Sequence, residues 1–432
     1  MKTTRIVDLV PSESVKIQGW VDSVRAQKAM IFLILRDNSG KVQVIIKRES
    51  APEIAAVVDG LLRDSTVMIE GKVLSAPNVK LGGIEIVPSN LVVTSNALVS
   101  PIDEKSGLDI AMDYRWLDLR DSKKLGYFQV QTQVLKAIRD WFVQNKFVEI
   151  MTPKLTGNST EGGAEVFSLK YYGKTAYLTQ SPQLFKQMAI AAGFERVFEI
   201  GACYRAEKSY TSRHSTEFFA LDVEMGFIDD ENDVMDAEES MLRYVFTEVA
   251  KSPLWAQLGI DAPTLPSKPF PRISLLNSYK LLEDERGYIV PKAAKGDLDP
   301  EAERLLCEIA KEKWGSDFIF ITNFPSSARA FYISRLDDTK PKLTRGFDLL
   351  YRGVEITSGG QREHNPERLV NNIMDKGIAE EDMKFYIDFF RYGCPPHGGY
   401  ALGIARLVAK MLGLPSVKDT TFLFRGPDRL NP

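Results

Sequence analysis

Three cysteines and three histidines are all that this 432-residue chain contains of either residue. Cys203, Cys307 and Cys394 are widely separated and odd in number, which excludes a disulfide framework and offers no zinc spacing. No apolar run approaches the roughly 18 residues of a membrane span, so no membrane partner is expected. The N-terminal MKTTRIVDLVPSESVK has no apolar stretch of the secretory kind, and with the reduced cysteines it points to a cytoplasmic protein. Charge is also unremarkable in sum: 55 basic against 58 acidic residues leave a net −3. A nucleic-acid partner would therefore have to be held by local basic patches, not by the overall field. Neither a P-loop nor a strand-to-helix GxGxxG is present, and without a serine elbow a hydrolytic triad is unsupported. Repeats and low-complexity segments are lacking.

What is present is enough chain for two or three domains with ample core. Residues 1–97 read as five short β segments, Val15–Trp20, Ala29–Leu35, Val42–Lys47, Ser65–Val73 and Ile84–Val93. A turn signal, Asp37-Asn38-Ser39-Gly40, separates the second from the third, and a helix-like stretch, Ala51–Leu62, follows the third. Five strands with a helix after the third is the order of an OB-fold barrel, although other small antiparallel barrels share much of that pattern. Arg25, Lys28, Arg36, Lys41, Lys47 and Arg48 make the region locally basic. Phe32 and Gln43, on neighbouring strands, suit stacking and reading of unpaired bases. Residues 98–120 form a polar connector ending in MDYRWLDLR, and an amphipathic helix, Tyr127–Gln144, opens the remainder. From 121 to 432 β-rich runs alternate with helices without a βαβ rhythm. The expected class is α+β: a barrel followed by a mixed, mainly antiparallel sheet flanked by helices.

The most informative stretch is VFEIGACYRAEKSYTSRHSTEFFALDVEM, Val197–Met225. Two β segments flank a polar loop carrying Arg213 and His214. Strand parity puts Glu199, Arg205 and Glu207 on one face of the first segment. On the second, Phe218, Asp222 and Glu224 share a face, and Phe219, Leu221, Val223 and Met225 form the apolar one. So many charges in the middle of a sheet are expensive without a ligand, which marks this hairpin as the floor of an active site. Four further segments accompany it. Phe147–Pro153 is a strand ending in a proline that suits a sheet edge or an interface. Ser159–Glu165 is a glycine-hinged acidic loop of lid composition. Gln180–Lys186 sets polar side chains and a lysine at a helix start. Phe347–Arg362 offers Asp348, Glu355 and Ser358 as oxygen ligands suited to Mg²⁺ on nucleotide phosphates. Farther on, Pro395–Arg406 presents Arg406 near a helix start, a favourable place for phosphate.

Together these segments resemble the three signature motifs of class II aminoacyl-tRNA synthetases: Pro153 in the first, Tyr204-Arg205-Ala206-Glu207 in the second, Gly403–Arg406 in the third. TEGG, QSPQLFKQ, RHSTEFFALDVEM and GVEITSGGQRE are similar to the aspartyl enzymes of the archaeal/eukaryotic type. The resemblance spans nearly the whole chain in order. It implies a cytoplasmic, ATP- and Mg²⁺-dependent ligase of protein biosynthesis, a homodimer built through the first motif, and anticodon reading by the barrel with Phe32 and Gln43. Its substrates would be L-aspartate and tRNA(Asp), with charging of tRNA(Asn) left open. Arg205 and Arg406 would be catalytic, Arg205 gripping the α-phosphate and the substrate carboxylate. Arg213 and His214 would hold the γ-phosphate, Phe218 and Arg406 would sandwich adenine, and Glu207 would line the nucleotide site. Asp348, Glu355 and Ser358 would hold Mg²⁺, with Glu355 counted among the ATP contacts and Ser358 among those to aspartate. Lys186 and Arg362 would clasp the β-carboxylate, while Glu161 and Gln183 hold the α-amino end. Asparagine would leave those two cations unpaired, at about 3–5 kcal/mol.

Two departures from the family pattern stand out. Ala405 occupies the place of an acidic residue before the third-motif arginine, which is expected to loosen Arg406 and slow activation. The tail Phe424–Pro432 also differs from the usual form. They keep open a synthetase-derived RNA-binding regulator without charging activity, and an asparaginyl enzyme shares the architecture.

Overall fold

The computed structural model describes residues 3–103, 105–157, 165–337 and 342–432. The chain divides into two compact units, Met1–Ser122 and Lys123–Pro432.

In the first unit, strands β1 (Ser14–Ala26), β2 (Met30–Arg36), β3 (Lys41–Lys47), β4 (Thr66–Ser75) and β5 (Ile84–Ser95) close into a barrel of order β1-β2-β3-β5-β4. Alternation drives it. Ile17, Ile31, Leu33, Val42, Val44 and Ile69 point inward and are completely buried, while the residues between them face out. A bulge at Val21–Ser23 bends the long first strand so that one end pairs with β4 and the other with β2. The β2–β3 turn is held by Asp37, whose Oδ1 accepts from the amides of Ser39 and Gly40 at 2.7 and 3.0 Å. Helix α1 (Pro52–Asp59) follows β3, with proline in its first turn. The connector is not structureless: it contains the short helices α2 (Leu108–Asp113) and α3 (Arg115–Asp118), with Arg115 and Asp118 buried as an ion pair.

The second unit begins with α4 (Ser122–Gln144), which buries Val130, Val134, Ala137, Ile138, Trp141 and Phe142. Strand β6 (Val148–Glu149) follows, then a small sheet of β7 (Leu155–Thr156), β8 (Ser168–Tyr171) and β9 (Lys174–Leu178). Next come α5 (Gln183–Ala191) and the long hairpin of β10 (Arg196–Tyr204) and β11 (Glu217–Gly226). The chain continues through α6 (Glu231–Ala250), α7 (Leu254–Leu258), β12 (Arg272–Ser274), α8 (Leu275–Arg286), α9 (Pro300–Trp314), β13 (Phe318–Thr322), β14 (Gly346–Tyr351) and β15 (Val354–Gln361). Helices α10 (Pro366–Asp375) and α11 (Lys384–Arg391), strand β16 (His397–Gly403) and α12 (Ile404–Met411) complete it. The large sheet has the order β12-β13-β14-β15-β16-β11-β10-β6, antiparallel except for the parallel pairs at its two ends.

One face of this sheet carries Leu221, Val223, Phe347, Leu349, Tyr351 and Leu402 into a core shared with α4, α6 and α12. The opposite parity puts Phe218, Asp222, Glu224 and Asp348 on the other face. Phe219 departs from the expected apolar set: it lies beyond the core and is 56% exposed. Strand β16 can sit between β11 and β15 only because it is glycine-rich. A Cβ on Gly399 would overlap the Val223 carbonyl oxygen and the Glu224 carboxylate. Gly399→Ala is expected to destabilise the protein by about 3 kcal/mol, read as a lowered Tm, and to disturb Glu224 directly.

Candidate active site

The charged face of the β10–β11 hairpin is the floor of a buried ionic cluster. In register, Glu199 lies opposite Asp222. Lys186, reaching in from the first turns of α5, places Nζ 3.1 Å from Asp222 Oδ1, 3.4 Å from Glu224 Oε2 and 3.1 Å from the Tyr400 carbonyl. Arg362, just beyond β15, donates from Nε and Nη2 to the two oxygens of Glu224 at 2.9 and 3.2 Å. Lys186, Arg362 and Glu224 are at most 3% exposed. The expected pair of bare cations is therefore corrected: both are already bound to Glu224, and the cost of asparagine cannot be that of leaving them unpaired. Burial would raise the Glu224 carboxyl, but Arg362 and Lys186 prevail and hold it below the ordinary carboxylate range. At Asp222 burial wins over Lys186, and its carboxyl is raised. Of the two, Asp222 is the less stabilised as an anion. Glu199 is occupied with the preceding segment: it accepts from the Thr152 amide and hydroxyl at 3.1 and 2.7 Å and from Lys154 at 2.8 Å. Gln183 opens α5, one turn before Lys186, and donates to Gln187 Oε1 at 3.0 Å. Glu161 and its TEGG loop lie outside the described residues.

A second, strongly cationic region adjoins the outer end of the hairpin. The loop between β10 and β11 is closed by the Arg205 amide on the Thr216 carbonyl at 2.9 Å, and the Arg205 guanidinium lies 5.4 Å from the Phe218 ring centroid. Glu207 is half-buried in that loop. Arg213 donates to Glu303 Oε2 at 2.7 Å, and the same oxygen accepts from the Glu355 amide at 2.9 Å. Burial lowers the His214 imidazole to about 4, aided by Arg406, Arg213 and Arg205, so the ring is neutral near pH 7. Arg406 lies in the first turn of α12. Far from being loosened by Ala405, it donates to the carbonyl oxygens of Glu355 at 2.8 Å and Arg213 at 3.3 Å, with the Glu355 carboxylate 3.8 Å away. The unusual tail also has a place: the Arg425 carbonyl accepts from the Thr216 amide and the Ser215 hydroxyl at 3.0 and 2.8 Å.

Asp348 and Ser358 are opposite each other on β14 and β15. Between them reaches Arg329, donating to Ser358 Oγ at 3.0 Å and to Asp348 Oδ2 at 2.5 Å. The second oxygen of Asp348 is buried without a partner among the described residues, and burial, with Glu355 nearby, raises its carboxyl despite Arg329. A buried orphan oxygen next to a second carboxylate is the kind of donor set that accepts a hard cation. No group of three or more acidic, histidine or cysteine residues is gathered for a metal among the described residues. Arg329 and Glu303 escaped the sequence reading. Glu303 sits among the charges of α9, where only burial on one helix face distinguishes it; Arg329 stands in a loop with no motif around it.

In the barrel unit, Phe32 and Gln43 are half-buried on the outer faces of β2 and β3. The Arg25 guanidinium is 4.8 Å from the Phe32 ring centroid, and Gln43 donates to Glu85 at 3.2 Å. At the β6 edge of the large sheet, Val143, Val148 and Met151 are exposed, Met151 by 91%. No helix among the described residues is long and apolar enough to cross a membrane.

Comparison with known proteins accords with this geometry. Residues 15–94 match the OB-fold nucleic acid binding domain, and residues 107–425 match the family described as tRNA synthetases class II (D, K and N). The chain is similar to the aspartate–tRNA(Asp/Asn) ligase of Aeropyrum pernix, 40% identical over the whole of both chains. It is likewise 40% identical to the aspartate–tRNA(Asp) ligase of Thermococcus kodakarensis, over all of this chain and 99% of that one. Among solved structures, asparaginyl-tRNA synthetase from Pyrococcus horikoshii complexed with asparaginyl-adenylate superimposes with a TM-score of 0.90 at 31% identity, covering both chains fully. Aspartyl-tRNA synthetase from Entamoeba histolytica gives 0.87 at 30%, over all of this chain and 93% of that one. With a barrel of OB topology, a mainly antiparallel catalytic sheet and arginines from the second and third signature motifs brought to one end of it, the chain belongs to the class II tRNA synthetases of the D, K and N group.

Proposed function

We propose that this enzyme is an aspartate–tRNA ligase. The observation that carries the reading is the buried cluster of Lys186, Arg362 and Glu224, two cations fixed around one ionised carboxylate and bordered by Asp222, which is poorly stabilised as an anion. A β-carboxylate entering this cluster competes with Asp222 for Lys186; the amide of asparagine brings no charge to do so. The relatives at 40% identity are named as aspartate ligases, which favours the same substrate.

Activation joins an aspartate α-carboxylate oxygen to the α-phosphorus of ATP and releases diphosphate. A hydroxyl of the terminal tRNA adenosine, by resemblance the 3′ one, then attacks the adenylate carbonyl and releases AMP. Such chemistry needs alignment and charge neutralisation more than a general base. Arg205 binds the α-phosphate and the α-carboxylate, Arg213 and neutral His214 the γ-phosphate, and Phe218 and Arg406 flank adenine, with Glu207 beside them. Gln183 holds the α-amino end, together with Glu161. Asp348, Glu355 and Ser358 would hold Mg²⁺, which when bound would supply positive charge to the phosphate oxygens. The exposed apolar residues at the β6 edge support a homodimer, and the three free cysteines support a cytoplasmic location. Both tRNA(Asp) and tRNA(Asn) are candidate acceptors.

The test is ATP–pyrophosphate exchange without tRNA, with aspartate and asparagine in parallel. Exchange with aspartate alone is expected; exchange with asparagine alone would overturn the assignment, and silence with both would favour a regulator without charging activity. Phe32→Ala should weaken charging of tRNA by about tenfold, the loss of one stacked base, while leaving exchange unchanged. Equal losses in both assays would remove the barrel from anticodon reading.

A further inference from the structure

Behind the aspartate pocket lies a row of buried polar side chains of which the chemistry above uses only Gln183. His397, Gln187, Tyr386 and Gln183 are between 0 and 4% exposed. Phe390 stacks on the imidazole with ring centroids 5.8 Å apart, and Leu184 and Phe331 belong to the same apolar cluster. The polarity of this row follows from its fixed end. His397 Nδ1 is 2.9 Å from the Pro395 carbonyl oxygen. A carbonyl can only accept, so Nδ1 carries the proton. Burial, with Arg362 nearby, lowers the imidazole to about 4, so the ring holds no second proton near neutrality and Nε2 is an acceptor. Gln187 lies 2.9 Å from Nε2 and must turn its NH₂ toward it. Its oxygen then faces the other way, where it receives the Tyr386 hydroxyl at 2.9 Å and the Gln183 side chain at 3.0 Å. An oxygen there obliges Gln183 to turn its own NH₂ inward.

We infer that Gln187 and His397 are positioning residues that set the polarity of the Gln183 amide, leaving its carbonyl oxygen as the atom offered to the substrate's ammonium group. This rests on the aspartate reading above. Reversing the Gln183 amide would set oxygen against oxygen at Gln187. Reversing Gln187 as well would set oxygen against the bare Nε2 of His397. Neither arrangement is tolerated among buried groups without water. One backbone carbonyl thus dictates, through three side chains, which end of an amide meets the amino acid. Gln183 and Lys186 are three apart on α5, so the acceptor for the α-amino group and the cation for the β-carboxylate stand on one helix face.

The test compares Gln187→Met and Gln187→Glu in the full-length enzyme, using ATP–pyrophosphate exchange for aspartate and inhibition by succinate, which lacks the α-amino group. Gln187→Met is expected to raise KM for aspartate about tenfold or more, with KM for ATP and kcat little changed, and to leave the Ki for succinate nearly as before. Glutamate at 187, protonated on the oxygen that faces the bare Nε2, donates to it and still presents its other oxygen to Gln183, so it should restore KM to within about threefold. The ratio of aspartate KM to succinate Ki does not depend on how much of a variant folds. An unchanged ratio in Gln187→Met, or equal impairment of the two variants, overturns the inference. A wild-type enzyme that activates no aspartate overturns the aspartate reading instead.

Discussion

Lys186→Ala is expected to lower kcat/KM for aspartate in ATP–pyrophosphate exchange by about two to four decades while KM for ATP stays within a few-fold. Removing one partner from a buried ion pair costs about 3–5 kcal/mol, and each 1.4 kcal/mol is a factor of ten. The asymmetry of the cluster sharpens the expectation. Glu224 would keep Arg362, bound at 2.9 and 3.2 Å, whereas Asp222 would lose the lysine that is its only salt-bridge partner among the described residues. The floor would persist, but with one cation where two are needed. The nucleotide contacts proposed for Arg205, Arg213 and Arg406 do not involve Lys186, so ATP binding should survive. Exchange at the wild-type rate would show that the cluster is a structural ion pair and that aspartate is recognised elsewhere.

Glu238→Gln should make the enzyme more stable, and increasingly so as pH rises. Glu238 is completely buried on α6, on the core side of the sheet. Its Oε1 accepts from the Thr357 hydroxyl at 2.6 Å, and its Oε2 has no partner among the described residues. Burial raises the carboxyl to about 8, opposed by the Thr357 bond and assisted by Asp348. A folded-state value above the unfolded one means that the folded protein binds this proton more tightly. The stability it contributes is complete below the unfolded value near 4.5 and is lost as pH rises to about 8. At about 1.4 kcal/mol per pH unit, the loss across that window approaches about 5 kcal/mol as an upper bound. Glutamine keeps the acceptor for Thr357 and has no proton to lose. Thermal unfolding of both proteins at pH 5, 6.5 and 8 should give curves that lie close together at the lowest pH and diverge upward. Parallel curves would mean that Glu238 is solvated or paired in solution.

The two features most easily read from residues alone were periodic ones. Alternation in Ile31–Leu35 and Val42–Ile46 encoded the barrel, because a period of two puts every second side chain on one face whatever the rest of the chain does. The same rule located Phe218, Asp222 and Glu224 on one side of β11. It misplaced Phe219, since parity assigns a face but not how far along the strand the core extends. Motif resemblance supplied Lys186, Arg362 and Arg406 as site residues, yet said nothing about what would hold them. Ala405 looked like a fault in the sequence; in the fold, the carbonyls of Glu355 and Arg213 take up the guanidinium.

Sequence by itself thus determined the barrel, the amphipathic α4 and the charged floor of the hairpin, all of which follow from local periodicity and the fixed geometry of the backbone. Only the tertiary structure decided that Glu224 binds both cations of the pocket, that Arg329 reaches between Asp348 and Ser358, and that one carbonyl at Pro395 orients a row of buried amides. Those pairings join side chains far apart in the chain, 138 positions from Glu224 to Arg362 and 210 from Gln187 to His397. No local rule links them. They are fixed by packing, where a buried polar group must find whichever partner the fold has brought within hydrogen-bond distance.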